Sequence, residues 1–299
     1  MPTKIYIAVN GTCTAGPDDN LMDIIKDIGL GKRKREFSEK LGRDVSGGST
    51  VLWIKSPSGI YMIDTGDYDD RSILEKSLEK IAKEESKKNI DAKKSVERIY
   101  HSHAHLDHVG NNDLFMGAKW MIDGRDRLAE VALGPDDSEE YNGFRAFYDG
   151  HRQRGITSDK FTRYHNNKHT GKPKELTIKD ATGHDIANKF FIIKDDDIAI
   201  INLETREEHK TDRIVFTGDA ICDERYLKRA MHNDMDVKKT SVYGTKIPNE
   251  QWWINDPVDR VWYDAMAYGS NMKIIEEAKK GGLMIFGHSG VYDINAAGR

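Results

Sequence analysis

The segment His103-Ala104-His105-Leu106-Asp107-His108 constrains this chain more than any other feature, because with His101-Ser102 before it, it follows at once on a strand-like run from Val96 to Tyr100. A strand that ends in a polar loop is where open α/β sheets place their sites. With 11 His in 299 residues, three His and one Asp at these places arise by chance on the order of once per thousand such chains. The spacing has a chemical reading. Residues two apart on an extended segment point the same way, so His103 and His105 can grip one metal ion, while Asp107 and His108, beyond a bend, can turn towards a second. Imidazole and carboxylate are what zinc accepts, and iron and manganese also take such mixed sets. His101 extends the pattern backwards, but a register starting there would need Asp at 105, where His stands, so His101 is read as a supporting residue.

The rest of the chain reads as a layered α/β protein. Ile5 to Val9, Thr50 to Lys55 and Ile60 to Asp64 have strand character, the last two joined by the hairpin signal Ser56-Pro57-Ser58-Gly59. From Asp70 to about Lys88, Leu74, Leu78 and Ile81 fall at helical spacing among charges, which predicts an amphipathic surface helix. Strands are expected over Lys189–Ile193, Ile198–Leu203, Arg213–Phe216 and Leu283–Phe286, with turns at Asp195–Asp197 and around Glu207–Asp212. Asp256-Pro257 opens a helical pattern that stops at Gly281-Gly282.

Composition bears on partners and compartment. A net charge of -4 and a pI near 6.3 give no global reason to bind nucleic acid or an anionic membrane. Cys13 and Cys222 are the two cysteines, and no stretch reaches the roughly 18 apolar residues of a membrane helix. The start, Met1 to Ile5, has no signal-peptide core. A cytoplasmic protein acting on a small molecule is expected.

Four motifs now stand in order: Asp64-Thr65-Gly66 after a hairpin, His103 to His108, Thr217-Gly218-Asp219 after a strand, and Gly287-His288 after a late strand. In that combination the chain resembles the metallo-β-lactamase superfamily. The resemblance implies one domain over residues 1–299, an αβ/βα four-layer sandwich of two facing mixed sheets, with insertions near 137–175 and 223–256. It also implies a dinuclear, zinc-type centre. His103, His105 and a third His would hold one ion, Asp107, His108 and His288 the other, and Asp219 would bridge. Gly183-His184 is the best match for the third His, with His151, His165, His169 and His209 as competitors.

The implied chemistry is hydrolysis by a metal-bridging hydroxide, with Asp107 passing a proton to the leaving group. An Asp at 219 and a His at 105 match the glyoxalase II and lactonase-like branch, so the expected bond is a carboxylic ester type, a lactone or thioester. The alternative is a phosphodiesterase or nuclease on the same metals. Cys222 departs from the lactonases, where a nearby Tyr assists substrate binding. Cys222 and Tyr226 are therefore substrate-binding candidates, set against the plain reading of Cys222 as a small buried hydrophobe.

Residues 151–174 carry Arg152, Arg154, Lys160, Arg163, Lys168, Lys172 and Lys174 against Asp159 alone. Such a segment could cap the site and recruit an anionic substrate, or be a solvated loop. Tyr226, Tyr243, Trp252 and Trp253 in the second insertion could wall a pocket or pack a homodimer.

Overall fold

The computed structural model describes residues 2–12, 48–85, 90–126, 129–130, 133–134, 142–165, 171–182, 187–222, 224–231 and 269–295. Cys13, the basic run Lys32–Arg35, His169 and most of 223–256 lie outside them.

Alternation of period two builds the centre of the molecule. In β1 (Thr3–Val9), Ile5 and Ile7 face one core while Tyr6 and Ala8 face another. Strand β2 (Val51–Ser56) repeats this with Leu52 and Ile54 against Val51 and Trp53. It turns through Pro57-Ser58 into β3 (Gly59–Ile63), with Gly59 at φ 122. Both faces are buried, so each strand reads as continuously apolar.

Helix α1 (Arg71–Glu84) lays Leu74, Leu78 and Ile81 on the outer face of this half, each fully buried apolar side chain stabilising by about 1.5–3 kcal/mol. Strands β4 (Arg98–Tyr100), β5 (Lys119–Asp123) and β6 (Phe161–Tyr164) continue in parallel from β3. Between them lie the single-turn helix α2 (Leu106–Val109) and helix α3 (Asn142–Gln153).

The second half contains β7 (Leu176–Asp180), β8 (Lys189–Asn202), β9 (Glu208–Phe216), α4 (Glu224–Met231), β10 (Leu283–Ile285) and β11 (Val291–Asp293). Helical residues 269–279 precede β10. Ile274, Ile275 and Ala278 from that segment join Leu227 and Ala230 of α4 against Phe190, Ile192 and Val215.

The two expected facing sheets are continuous with each other through one ladder. Among the described residues, β1 pairs in parallel with β8, giving one sheet of 11 strands in the order β11-β10-β9-β8-β1-β2-β3-β4-β5-β6, with β7 beside β8. This sheet folds over a shared core that takes Ile5, Leu52, Tyr61 and Tyr100 from one half and Phe191, Ile200, Ile214 and Ile285 from the other. Helix, sheet, sheet and helix form the four expected layers.

Two further corrections concern turns. The expected break at Asp195–Asp197 is a register shift inside the continuous β8, between Lys194 and Ile198, because a bulge lets exposed Asp residues stay on an extended strand. Residues Glu208–Asp212 belong to β9, and the turn falls earlier, at Arg206 with φ 64 and its N–H donating to Asn202. Among the described residues no helix is long and apolar enough to cross a membrane.

Candidate metal centre

The C-terminal ends of β3, β4, β9 and β10 converge, and Asp64, His103 to His108, Asp219 and His288 follow them in that order. Asp64 closes β3 at φ 55, a left-handed conformation that the short polar side chain of Asp tolerates. Helix α2 then turns the motif: the His108 N–H donates to the His105 carbonyl at 3.0 Å, and the Thr65 N–H donates to the His108 carbonyl at 2.9 Å. Asp107 and His108 are thereby swung back towards the loop after β3.

Two glycines let the remaining loops touch. A Cβ on Gly218, at φ 52, would lie 2.7 Å from the Lys189 carbonyl oxygen. One on Gly287 would lie 2.3 Å from the Gly218 carbonyl oxygen and 2.9 Å from Asp219 Oδ1. Any larger residue would push Asp219 and His288 apart.

The result is a knot of nitrogen and oxygen donors. His108 Nε2 lies 3.0 Å from Asp219 Oδ1 and 3.7 Å from Asp107 Oδ2. His288 Nε2 lies 3.0 Å from the same Asp219 oxygen and 3.5 Å from Asp107 Oδ2. His103 Nε2 lies 3.8 Å from Asp219 Oδ2. Among the described residues, three overlapping groups have ligand atoms within 4.8 Å of one another: His103 with His108 and Asp219, Asp107 with His108 and His288, and Asp219 with Cys222 and His288.

The outer hydrogen bonds decide which nitrogen faces inward. The Gly48 carbonyl can only accept, so His288 carries its proton on Nδ1, 3.0 Å from that oxygen, and turns the Nε2 lone pair to the centre. His108 Nδ1 donates to Asp64 Oδ2 at 2.7 Å. The Ser102 hydroxyl donates to that carboxylate at 2.8 Å and lies 3.1 Å from His103 Nδ1. The Ser102 N–H donates to Asp64 Oδ1 at 2.8 Å.

Imidazole lone pairs aimed at carboxylate oxygens repel each other unless a cation lies between them. A proton can serve. Burial pushes the His108 pKa down, but Asp219, Asp107 and Asp64 outweigh it and hold it well above the usual imidazole value. Burial pushes the Asp64 carboxyl up, and His108 with His101 more than offsets this and holds it low. Divalent metal ions serve the same electrostatic need with more charge, and three imidazoles with two carboxylates are a donor set that suits zinc, iron or manganese. Carboxylate–imidazole pairs such as Asp64–His108 are also what orients metal-binding histidines.

Not every expected residue joins the knot. The His105 ring is half-buried with its centroid 4.2 Å from that of His103, outside the three converging groups. His184 lies outside the described residues, as does the side chain of Tyr226. His101 stands behind the knot, as a supporting residue would: its Nδ1 is 3.6 Å from Asp64 Oδ1, its Nε2 is 3.1 Å from Asn112 Nδ2 and its ring packs on Phe161. Of the competitors, His151 is buried with Nε2 3.3 Å from the Leu106 carbonyl, His165 is exposed, and His209 stands on β9. Sequence reasoning missed Ser102 and Gly48 as orienting groups. A Ser wedged between two His residues was the available signal for the first; a backbone carbonyl leaves none.

The basic segment is bound into the frame. Arg154 donates to the Gly110 carbonyl at 3.1 Å and stacks over Tyr68, its Cζ 3.8 Å from the ring centroid. Arg163 donates to the carbonyls of Gly124 and Asp126, and Arg152 pairs with Asp149.

Comparison with known proteins places this arrangement. The family model of the metallo-beta-lactamase superfamily matches residues 45–198. A presumed metallo-beta-lactamase of Thermotoga maritima shares the fold with a TM-score of 0.55 at 12% identity, covering 98% of this chain and 100% of its own. AidC, a dizinc quorum-quenching lactonase in complex with its product, gives a TM-score of 0.49 at 14% identity, covering 97% and 86%. A B3 metallo-beta-lactamase with an active-site glutamic acid gives 0.49 at 12%, covering 84% and 78%. No curated protein sequence matches significantly. With more than half of its length matched and the motif-bearing strand ends converging on one knot of donors, the chain belongs to the metallo-beta-lactamase superfamily and is a metal-dependent hydrolase.

Proposed function

We propose that this enzyme hydrolyses a carboxylic ester-type bond, a lactone or thioester, with two zinc-type ions, in the manner of the glyoxalase II and lactonase-like branch. His103, His105 and His184 would hold one ion, Asp107, His108 and His288 the other, and Asp219 both. One observation carries the reading: His108 and His288 are each locked with Nδ1 outward, and both bring Nε2 to 3.0 Å from the same Asp219 oxygen. Those two rings and Asp219 Oδ1 face one ion position, while the other oxygen of the same carboxylate lies 3.8 Å from His103 Nε2 on the side of the second, which supports Asp219 as the shared ligand.

When bound, such ions supply Lewis acidity and a water nucleophilic at neutral pH. The chain supplies the rest. Asp64, through Ser102 and His108, fixes the ligand rings, and the buried Asp219 holds the floor of the site. Asp107 is the more exposed of the two inner carboxylates, 20% against 5% at the side chain. It is therefore the group placed to take a proton from an attacking water and return it to the leaving group.

Support for an ester over a phosphodiester comes from the basic segment. Arg152, Arg154 and Arg163 are engaged with Asp149, the Gly110 carbonyl and the Gly124 and Asp126 carbonyls, which weakens the case for a phosphate-recruiting cap. A substrate panel tests the reading. Zinc-loaded enzyme should release carboxylic acid from lactones or S-acyl thioesters, and faster turnover of bis-p-nitrophenyl phosphate than of every ester would overturn it.

A further inference from the structure

We propose that Cys222 is an additional metal ligand, giving its thiolate to the ion held between Asp219 and His288. The inference rests on the metal centre proposed above and adds a residue that its seven-ligand set does not contain.

The Cys222 sulfur is not isolated. Its Sγ, an Asp219 carboxylate oxygen and a His288 ring nitrogen all lie within 4.8 Å of one another. Backbone contacts hold the three in register. The His288 N–H donates to the Cys222 carbonyl at 3.0 Å. Thr217 Oγ1 donates to the Ile221 carbonyl at 2.7 Å and accepts from the Gly287 N–H at 3.1 Å. The loops carrying Asp219, Cys222 and His288 are thus stitched together on both sides of the sulfur.

A purely apolar role explains only half of its surroundings. Ala220, Ile221 and Leu227 share its core cluster, and its thiol donates to the Asp219 backbone carbonyl, Sγ 3.5 Å from that oxygen, yet the sulfur also lies within 4.8 Å of a buried carboxylate oxygen and an imidazole nitrogen. At 6% exposure Cys222 has little contact with water. A thiol packed against a site that attracts cations is placed to exchange its proton for a metal ion. The S–H bond breaks, the proton passes to solvent and a sulfur–metal bond forms, with no change of oxidation state. Thiolate favours zinc, cobalt(II) and cadmium over manganese and magnesium, so Cys222 would set the metal preference of this ion.

The chain contains only Cys13 and Cys222, so replacing Cys13 leaves Cys222 as the one thiol that can bind metal. Metal-free full-length Cys13→Ser protein is reconstituted with cobalt(II), and separately with cadmium, while bound metal is counted by elemental analysis. A near-ultraviolet sulfur-to-metal charge-transfer band in that variant can come only from Cys222, and the band is expected. In Cys222→Ser the band should vanish and cadmium affinity should fall at least about tenfold, with manganese affinity nearly unchanged. Metal bound to the Cys13→Ser protein without a band overturns the role of Cys222 and leaves the metal centre standing. Failure to bind metal at all overturns both.

Discussion

Two buried clusters of charge in this protein are built on opposite plans. Glu85 caps the C-terminal end of α1, where a negative charge is unfavourable to the helix, yet it is buried. Its carboxylate meets Lys4 Nζ and Tyr6 Oη at 2.9 Å each and pairs with Lys55. Burial pushes this carboxyl up, but Lys55, Lys4 and Tyr6 outweigh it and hold it down to about 2. The chain supplies the cations for that cluster. At the metal centre, Asp107 and Asp219 meet imidazoles whose outer nitrogens already donate to Asp64 and to the Gly48 carbonyl. Balance there is completed by a cation from outside. A closed cluster holds a helix to a sheet, whereas an incomplete one is a site.

Removal of a ligand should break the contrast most strongly. His288→Ala should lower zinc content and hydrolysis by at least about 100-fold, more than loss of an orienting partner costs, while the thermal midpoint of the metal-free protein stays within a few degrees. Metal analysis and steady-state rates check this, and unchanged zinc would remove His288 from the centre.

The closed cluster should respond in the reverse sense. Lys55→Met leaves Glu85 buried with one ammonium partner and should cost about 3 kcal/mol in denaturant unfolding, with metal stoichiometry unaffected. The same cluster should show in acid. Because the folded pKa of Glu85 is depressed from 4.5 to about 2, its contribution is fully present above about pH 4.5 and is lost as pH falls towards 2. A Glu85→Gln variant should have a flatter stability profile across that window. An identical profile would show that the pairing carries no net stability.

Asp64→Asn probes the layer between the two plans. Asn also tolerates the φ of 55 at this position, so the fold should survive. Loss of the charge behind His108 should weaken metal binding by about 10–100-fold, readable by competition with a chromogenic chelator. The smallest effect is expected at Arg152→Ala. Its Asp149 partner is half-exposed, so stability should move by less than about 0.5 kcal/mol. The KM for anionic and neutral esters should be equally unmoved at low and high salt, and a selective rise for anions would restore the recruiting cap.

Much of the sheet was legible because its strands are buried on both faces. Ile5 to Val9, Val51 to Ser56, Gly59 to Ile63 and Leu283 to Ile285 stand within a residue or two of expectation, and α1 runs to Glu84, the expected end near Lys88 lying outside the described residues. Strands β5, β6, β7 and β11 were not read. β6 lies inside a segment whose basic residues masked its two buried aromatics, Phe161 and Tyr164. The turn at Asp195–Asp197 failed because local composition speaks for a break, while pairing with β9 keeps the chain extended. The expected helix start at Asp256 lies outside the described residues.

The sequence by itself determined the donor types, their order and the strand ends that carry them, since a His or Asp after an apolar run needs no distant partner to be recognised. Only the tertiary structure decided which atoms meet. Asp64 and His108 are 44 residues apart and Gly48 and His288 are 240 apart, and no local pattern can record such pairings. The β1–β8 ladder folds one sheet over a single core. That fold brings the ends of β3 and β4 against those of β9 and β10, and with them the inward nitrogens and shared carboxylate that ask for a metal ion.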